Sequence, residues 1–273
     1  MTSHFYQHPL VKLHYYKFGN GPKAMLCFHG YGMHGRQFTL LEESLGQQYT
    51  FYGFDLFFHK QTVLQNTELE HVKNGISKAD LAQLFVDFCR EQGIERFSLL
   101  SYSMGSFYAA TLAEKIPEKI ECYITAAPSN LKPGRIITFL SANKIGNKLL
   151  ERLALSDKAM IRLLELLKKG KIIDKKAHEI LFREIATPEL RFSFFACATY
   201  LRFLKTDLPL FIRQLNKHDI PSIFIFGKRD KSYPASIGKG TIPKIEHAKQ
   251  VLLDENHDLV KQNFAQTLTN LLS

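Results

Sequence analysis

Between residues 10 and 129 the chain sets short, nearly uninterrupted apolar runs between turn residues and one clearly amphipathic stretch. LVKLHYYKF, residues 10–18, alternates well enough for a strand, and the Gly-Asn-Gly-Pro after it is a turn. KAMLCFHGYG predicts a buried strand ending on glycines, and TFYGFDL, 50–56, a second that ends on a carboxylate. KADLAQLFVDFCREQG, 78–93, spaces its apolar residues for a helix and stops at glycine. FSLLSYS, 97–103, is a further buried strand, MGSFYAATLAEKI begins a helix at once, and KIECYITAAPS, 119–129, is the next strand. Strands this continuously apolar are covered on both faces, as in a parallel sheet packed between helices.

From 130 to 218 the strand signal stops. LLERLALSDKAMIRLLELLKK and TPELRFSFFACATYLRFLK read as amphipathic helices. PSIFIFGKRD and KQVLLDENHD then resume the sheet pattern, and LVKQNFAQTLTNLL closes it with a helix. The expected fold is therefore α/β, a mostly parallel central sheet with helices on both faces. Residues 1–128 and 215–273 form the core, and 129–214 a helical insertion.

Length and composition bound the function classes. At 273 residues, 45% hydrophobic and 23% charged, the chain has the make-up of a globular protein with a sizeable core. No apolar run has the length that spans a bilayer, and MTSHFYQHPLVKLHYY lacks the apolar stretch of a signal peptide, so a cytoplasmic location is expected. Cys27, Cys89, Cys122 and Cys197 form no CxxC pair, and three of them lie in strongly apolar segments, as buried thiols do in a reducing compartment. Metal-ligand spacings such as HExxH are absent.

The net charge of +10 is unevenly spread. Residues 129–219 hold 18 Lys+Arg against 9 Asp+Glu, and the rest of the chain is close to balanced. Without a helix-turn-helix, zinc-finger or RNP pattern, this excess does not point to nucleic acid. It reads first as a solvated basic face. Attraction of an anionic substrate and weak contact with an anionic membrane surface are the two functional alternatives.

The chemistry concentrates at SLLSYSMGSFYAA, residues 98–110. A nucleophilic serine between a strand and a helix sits on a sharp turn that brings its neighbours at −2 and +2 together, so both must be small. Ser101 has Leu99 on one side and Ser106 has Met104 and Tyr108, whereas Ser103 has Ser101 and Gly105. The following helix N-terminus favours negative charge developing at Ser103.

A serine needs a base and an acid that orients it. Asp230 follows the strand PSIFIFG and His257 follows KQVLLDEN, both at the carboxyl edge where active sites of such sheets assemble. His178 and His218 fall in the helical segment, and His247 precedes its strand. The glycines of FHGYG, 28–32, let backbone N–H groups approach a developing oxyanion, with Tyr31 and Met104 as the donors. His29 reads as a buried anchor of that loop.

These segments resemble the α/β-hydrolase superfamily, specifically its capped serine hydrolases of the esterase and carbon–carbon hydrolase kind, over nearly the whole chain. FHGYGMHGRQF resembles the oxyanion loop, SYSMGS the nucleophile elbow, GKRD the acid turn and NHDLV the histidine loop. DLFFHKQT, 55–62, departs from the usual Asp-Leu-Pro-Gly-His-Gly, and Asn256 and Ser106 stand where glycine is common. The resemblance implies Ser103 as nucleophile, Asp230 as acid, His257 as base, and Tyr31 with Met104 as oxyanion donors. A serine at that position argues against the dehalogenase and epoxide-hydrolase branches, which use aspartate. It implies a small-molecule ester or thioester substrate and no cofactor or metal. Ester hydrolysis through an acyl-enzyme leads. Carbon–carbon cleavage, thioester hydrolysis and a non-catalytic binding protein on the same fold are the alternatives. The helical segment is expected to act as a cap, with Phe192, Phe195 and Tyr200 as pocket candidates, although aromatics at helical spacing commonly pack a helix onto its own neighbours.

Overall fold

The computed structural model describes residues 1–156, 158–172 and 175–272. Its strands are β1 (Thr2–His8), β2 (Val11–Phe18), β3 (Lys23–Phe28), β4 (Tyr49–Phe54), β5 (Val63–Leu64), β6 (Phe97–Tyr102), β7 (Ile120–Ala126), β8 (Ser222–Gly227) and β9 (Ala248–Leu253). The helices are α1 (Glu42–Leu45), α2 (Leu69–Asn74), α3 (Lys78–Glu91), α4 (Gly105–Lys115), α5 (Arg135–Ala142), α6 (Lys144–Leu155), α7 (Ala159–Lys169), α8 (Lys175–Ile185), α9 (Pro188–Tyr200), α10 (Leu208–Lys217) and α11 (Gln262–Leu272).

The strands form one sheet in the order β1-β2-β4-β3-β6-β7-β8-β9, with β5 beside β2. β1 and β2 are antiparallel to their neighbours, and from β4 to β9 the pairs are parallel. Every residue of β6 and of β8 is buried, as two-sided cover requires. On one face Phe85 and Phe88 of α3 pack edge-on to Phe54 of β4, at 5.0 Å each between ring centroids. Ser77 accepts the Asp80 N–H and so caps the N-terminus of α3. On the other face Leu45 of α1 and Phe264, Ala265 and Leu268 of α11 join Phe18, Met25, Cys27, Phe51, Leu100 and Ile124 in one apolar cluster. Alternate residues of each strand feed the two cores, because successive side chains point to opposite faces.

Two compact units are formed. One comprises Met1–Asn66, Ser77–Pro133 and Leu204–Ser273 and holds the sheet; the other comprises Thr67–Ile76 and Gly134–Phe203 and is helical. The helical unit thus differs from the segment 129–214 read from the pattern. It starts later and ends earlier, since Ser129–Leu131 and α10 belong to the sheet unit, and it takes in α2. Residues 208–214 fall within that segment, but Phe211 of α10 packs edge-on against Tyr123 of β7. The long helix read over LLERLALSDKAMIRLLELLKK is described as two, α6 and α7, and residue 157 between them lies outside the described residues.

All four cysteines are buried thiols outside any disulfide. Burial pushes the thiols of Cys89, Cys122 and Cys197 up to about 12, which makes them poor nucleophiles. Among the described residues no helix is long and apolar enough to cross a membrane, and no group of His, Cys, Asp or Glu could hold a metal ion.

Candidate active site

Ser103 follows β6 and precedes α4, and its backbone is left-handed, with φ of 48°. A non-glycine residue adopts that region only where its surroundings hold it there. Three contacts do so here. The Ser103 N–H donates to the Ala126 carbonyl at 2.9 Å. Its carbonyl accepts the hydroxyl of Ser106 at 2.6 Å and that of Ser129 at 2.9 Å. Ser106 in turn accepts the Asn130 N–H at 3.1 Å. The hydroxyl at 106, where glycine is common in the resembling motif, is therefore a clamp on the turn. Gly105 cannot carry a side chain, since a Cβ would lie 2.1 Å from the Phe28 carbonyl oxygen.

The turn brings Ser103 Oγ to 3.2 Å from His257 Nε2. The opposite ring nitrogen, Nδ1, lies 2.8 Å from Asp230 Oδ2. Asp230 is 3% exposed, and its other oxygen accepts the N–H groups of Ser232 and Tyr233 at 2.8 and 2.9 Å. Burial opposes charge on this carboxyl. The His257 hydrogen bond and the two backbone N–H bonds outweigh it and hold the group below the usual aspartate value. The Tyr102 hydroxyl donates to the His257 carbonyl at 2.7 Å, and the rings of Tyr102 and Tyr233 both lie 5.4 Å from the imidazole. Burial, with Asp230's charge, raises the Tyr233 phenol, opposed by a hydrogen bond with Ser129.

The loop after β3 carries Tyr31, and two histidines fasten it. His29 Nε2 accepts the Leu56 N–H at 3.0 Å, so its proton sits on Nδ1, which donates to the Gly30 carbonyl at 2.6 Å. His59 repeats the arrangement. Its Nε2 accepts the Gly32 N–H at 3.0 Å, and Nδ1 donates to the Phe57 carbonyl at 2.9 Å. Burial is the main cause that lowers both imidazoles, His29 well below the ordinary value, so both stay neutral and keep their acceptor nitrogens. Gln37 completes the loop by accepting the Gly30 N–H at 3.0 Å. Tyr31 lies in the loop after β3, and Met104 follows Ser103 directly at the start of α4.

A family model for the alpha/beta hydrolase fold matches the chain over residues 23–168, the stretch that carries this turn between β6 and α4. The chain belongs to the alpha/beta hydrolase fold family. No curated protein matches its sequence. Among solved structures this alpha/beta hydrolase is similar to a hydrolase from Pseudomonas aeruginosa PA01, with a TM-score of 0.70 and 18% identity over 99% of this chain and 96% of that one. It is also similar to a thermophilic esterase from Thermogutta terrifontis, with a TM-score of 0.69 and 14% identity over 96% and 93% of the two chains. A candidate epoxide hydrolase from Pseudomonas aeruginosa gives a TM-score of 0.63 and 18% identity over 99% and 95%.

The three aromatics singled out as pocket candidates all lie on α9 of the helical unit. Phe195 and Tyr200 are 0% and 1% exposed, the burial of side chains that pack a unit's own interior. Phe192 is half-buried and lines a cleft of about 430 Å³ within the helical unit, with Ala154, Leu155, Pro188 and Arg191. The sequence reading passed over His59 and Ser129. His59 had a signal, since it stands in the stretch 55–62 at the one position that keeps the resembling motif's histidine. Ser129 had none, because its role depends on β7 ending beside β6.

Proposed function

We propose that the protein is a serine hydrolase of carboxylic esters that works through an acyl-enzyme. The observation that carries the reading is the row Ser103 Oγ–His257–Asp230, with contacts of 3.2 and 2.8 Å, on a left-handed turn at a helix N-terminus. His257 Nε2 takes the Ser103 proton as Oγ attacks the ester carbonyl. Asp230 keeps the Nδ1 proton in place and stabilises the imidazolium that forms. The N–H groups of Tyr31 and Met104 receive the negative charge on the former carbonyl oxygen, and the positive end of α4 adds to them. His257 then returns the proton to the departing alkoxide, and the alcohol leaves. A water molecule, deprotonated by the same imidazole, attacks the acyl-enzyme, and collapse of that second intermediate frees the acid and Ser103.

Chemistry through a carboxylate nucleophile finds no support, because the turn carries a hydroxyl. A fluorophosphonate probe tests the reading. Ser103 is expected to take the label and the chain to hydrolyse short p-nitrophenyl esters, and Ser103→Ala is expected to lose both while remaining folded. A folded wild-type chain that neither labels nor hydrolyses would make the fold a binding scaffold instead.

A further inference from the structure

The helical unit carries an unusual surface. Of the fifteen large apolar side chains exposed among the described residues, eleven belong to it, although it is less than a third of the chain. They are not the unit's core. On α6 the buried positions are Gly146, Leu150 and Ala154, while Ile145 and Leu149, one turn apart, are 78% and 48% exposed. On α7 Met160 and Leu164 are buried, while Leu163 and Leu166 are 40% and 63% exposed, and Ile172 beyond its end is 72% exposed. Each helix thus has an inner apolar stripe and an open apolar edge.

Cations interleave the open edges. Lys144, Lys148 and Arg152 follow one another at four-residue spacing along α6, all exposed, beside Ile145 and Leu149. Lys168, Lys169 and Lys171, also exposed, surround Leu166 and Ile172. Residues 134–203 hold 14 Lys+Arg against 7 Asp+Glu. A face that only kept the chain in solution would not carry isoleucine and leucine at this exposure, so the reading of the basic segment as a plain solvated face does not account for it. A second copy of the chain would bring the same positive charge to the contact, which repels. The partner that fits offers negative charge at its surface and hydrocarbon directly beneath.

We propose that the open edge of α6, α7 and the turn after α7 docks on an anionic phospholipid bilayer. Leu and Ile side chains enter the acyl boundary, and the lysines stay at the headgroups. The helices are 12 and 11 residues long, so they lie on the surface and do not span it. This surface role is independent of the serine chemistry, and its test uses no substrate.

The full chain is sedimented with phosphatidylcholine vesicles and with vesicles of phosphatidylcholine and phosphatidylglycerol. Binding to the second and not the first, reversed by high salt, is the expected result, because salt shortens the reach of the lysines. Neutralising the three cations, Lys168→Gln, Lys169→Gln and Lys171→Gln, should weaken binding by about a hundredfold, at roughly fivefold for each cation near an anionic surface. Ile145→Asp with Leu149→Asp should weaken it by about tenfold or more, since insertion of those side chains is lost. The chain has no tryptophan, so Ile172→Trp supplies its single indole, whose emission is expected to shift to the blue with anionic vesicles and to be quenched by brominated acyl chains. Absence of binding, equal binding to both vesicles, or an indole emission spectrum that does not move would overturn the proposal. So would a dimer in sedimentation velocity that the apolar variants dissociate, since a second copy would then be the occupant.

Discussion

His59 lies outside the proposed row of reacting groups, yet its removal should slow ester hydrolysis. The side chain makes two bonds at once, accepting the Gly32 N–H at 3.0 Å and donating to the Phe57 carbonyl at 2.9 Å. It is 6% exposed, so water does not replace it freely. In His59→Ala both backbone groups lose that partner. At about 1–3 kcal/mol for each buried polar group left short, less what relaxation recovers, stability should fall by about 2–4 kcal/mol. Tyr31 lies one residue from Gly32, so the same loosening lets its N–H drift from where an oxyanion would form. Complete loss of one such donor costs about 10²–10³ in kcat. The donor here is displaced and not deleted, and the expected loss is about 10- to 100-fold in kcat with KM little changed.

Steady-state hydrolysis of a p-nitrophenyl ester, well below the variant's melting temperature, separates the rate effect from the stability effect. His59→Gln adds a second comparison. Its amide oxygen can accept the Gly32 N–H and its amino group can donate to Phe57, so it should recover most of the rate that alanine loses. A variant that melts earlier but keeps the wild-type kcat would refute the reasoning and leave His59 a structural residue only. Glutamine as slow as alanine would refute it too.

Three further outcomes are expected. Asp230→Asn should cut kcat by about 10³–10⁴, because an amide can present a donor to Nδ1 and favour the wrong imidazole tautomer, and a loss under about tenfold would give the acid's role to another group. His14→Ala should destabilise the chain by about 2–4 kcal/mol in denaturant unfolding, since His14 and Asp55 are both 0% exposed and bonded at 2.7 Å and the variant takes that partner from a buried carboxylate oxygen, and a change below about 1 kcal/mol would mean the neighbouring N–H groups satisfy it alone. Stability should be flat above the ordinary imidazole value of 6.5 and decline as pH falls below it toward the lowered values of His29 and His59, because the unfolded chain binds those protons first; a melting temperature unchanged through mild acid would contradict this sign.

The central strands were legible because burial on both faces leaves a continuous apolar run, and β6 and β8 have no exposed residue. β1 was not. Only Tyr6 of its seven residues is buried, so its pattern is that of an exposed edge and carries little alternation. α10 was misassigned to the helical segment because a helix pattern says which face is apolar and not which surface covers it. At the site, Ser103, Asp230 and His257 could be picked out from strand ends alone. The supports could not. Ser129 reaches the Ser103 carbonyl across two parallel strands, and His59 reaches Gly32 across 27 residues of chain. Contacts of this kind follow from sheet order, which no local spacing encodes.

Residue identity and distance alone would in fact select the wrong place. Ser3 Oγ lies 2.7 Å from His14 Nε2, and His14 Nδ1 lies 2.7 Å from Asp55 Oδ2, a second Ser-His-Asp row with shorter contacts than the first. It lacks everything else the chemistry needs. Ser3 is inside the edge strand β1, with no helix N-terminus beyond it to receive negative charge. Asp55 spends its other oxygen on the Gly35 N–H at 2.8 Å, and its carbonyl accepts the Thr62 hydroxyl, so the group ties β2, β4 and the neighbouring loops together. Ser103 differs in its left-handed turn between β6 and α4, which brings Oγ to His257 Nε2. A fluorophosphonate mapped to Ser103 and not Ser3 would make that distinction experimentally. On the proposed reading it is the backbone around the serine, more than the serine–histidine–aspartate contact, that would make one row a reaction site and the other a brace.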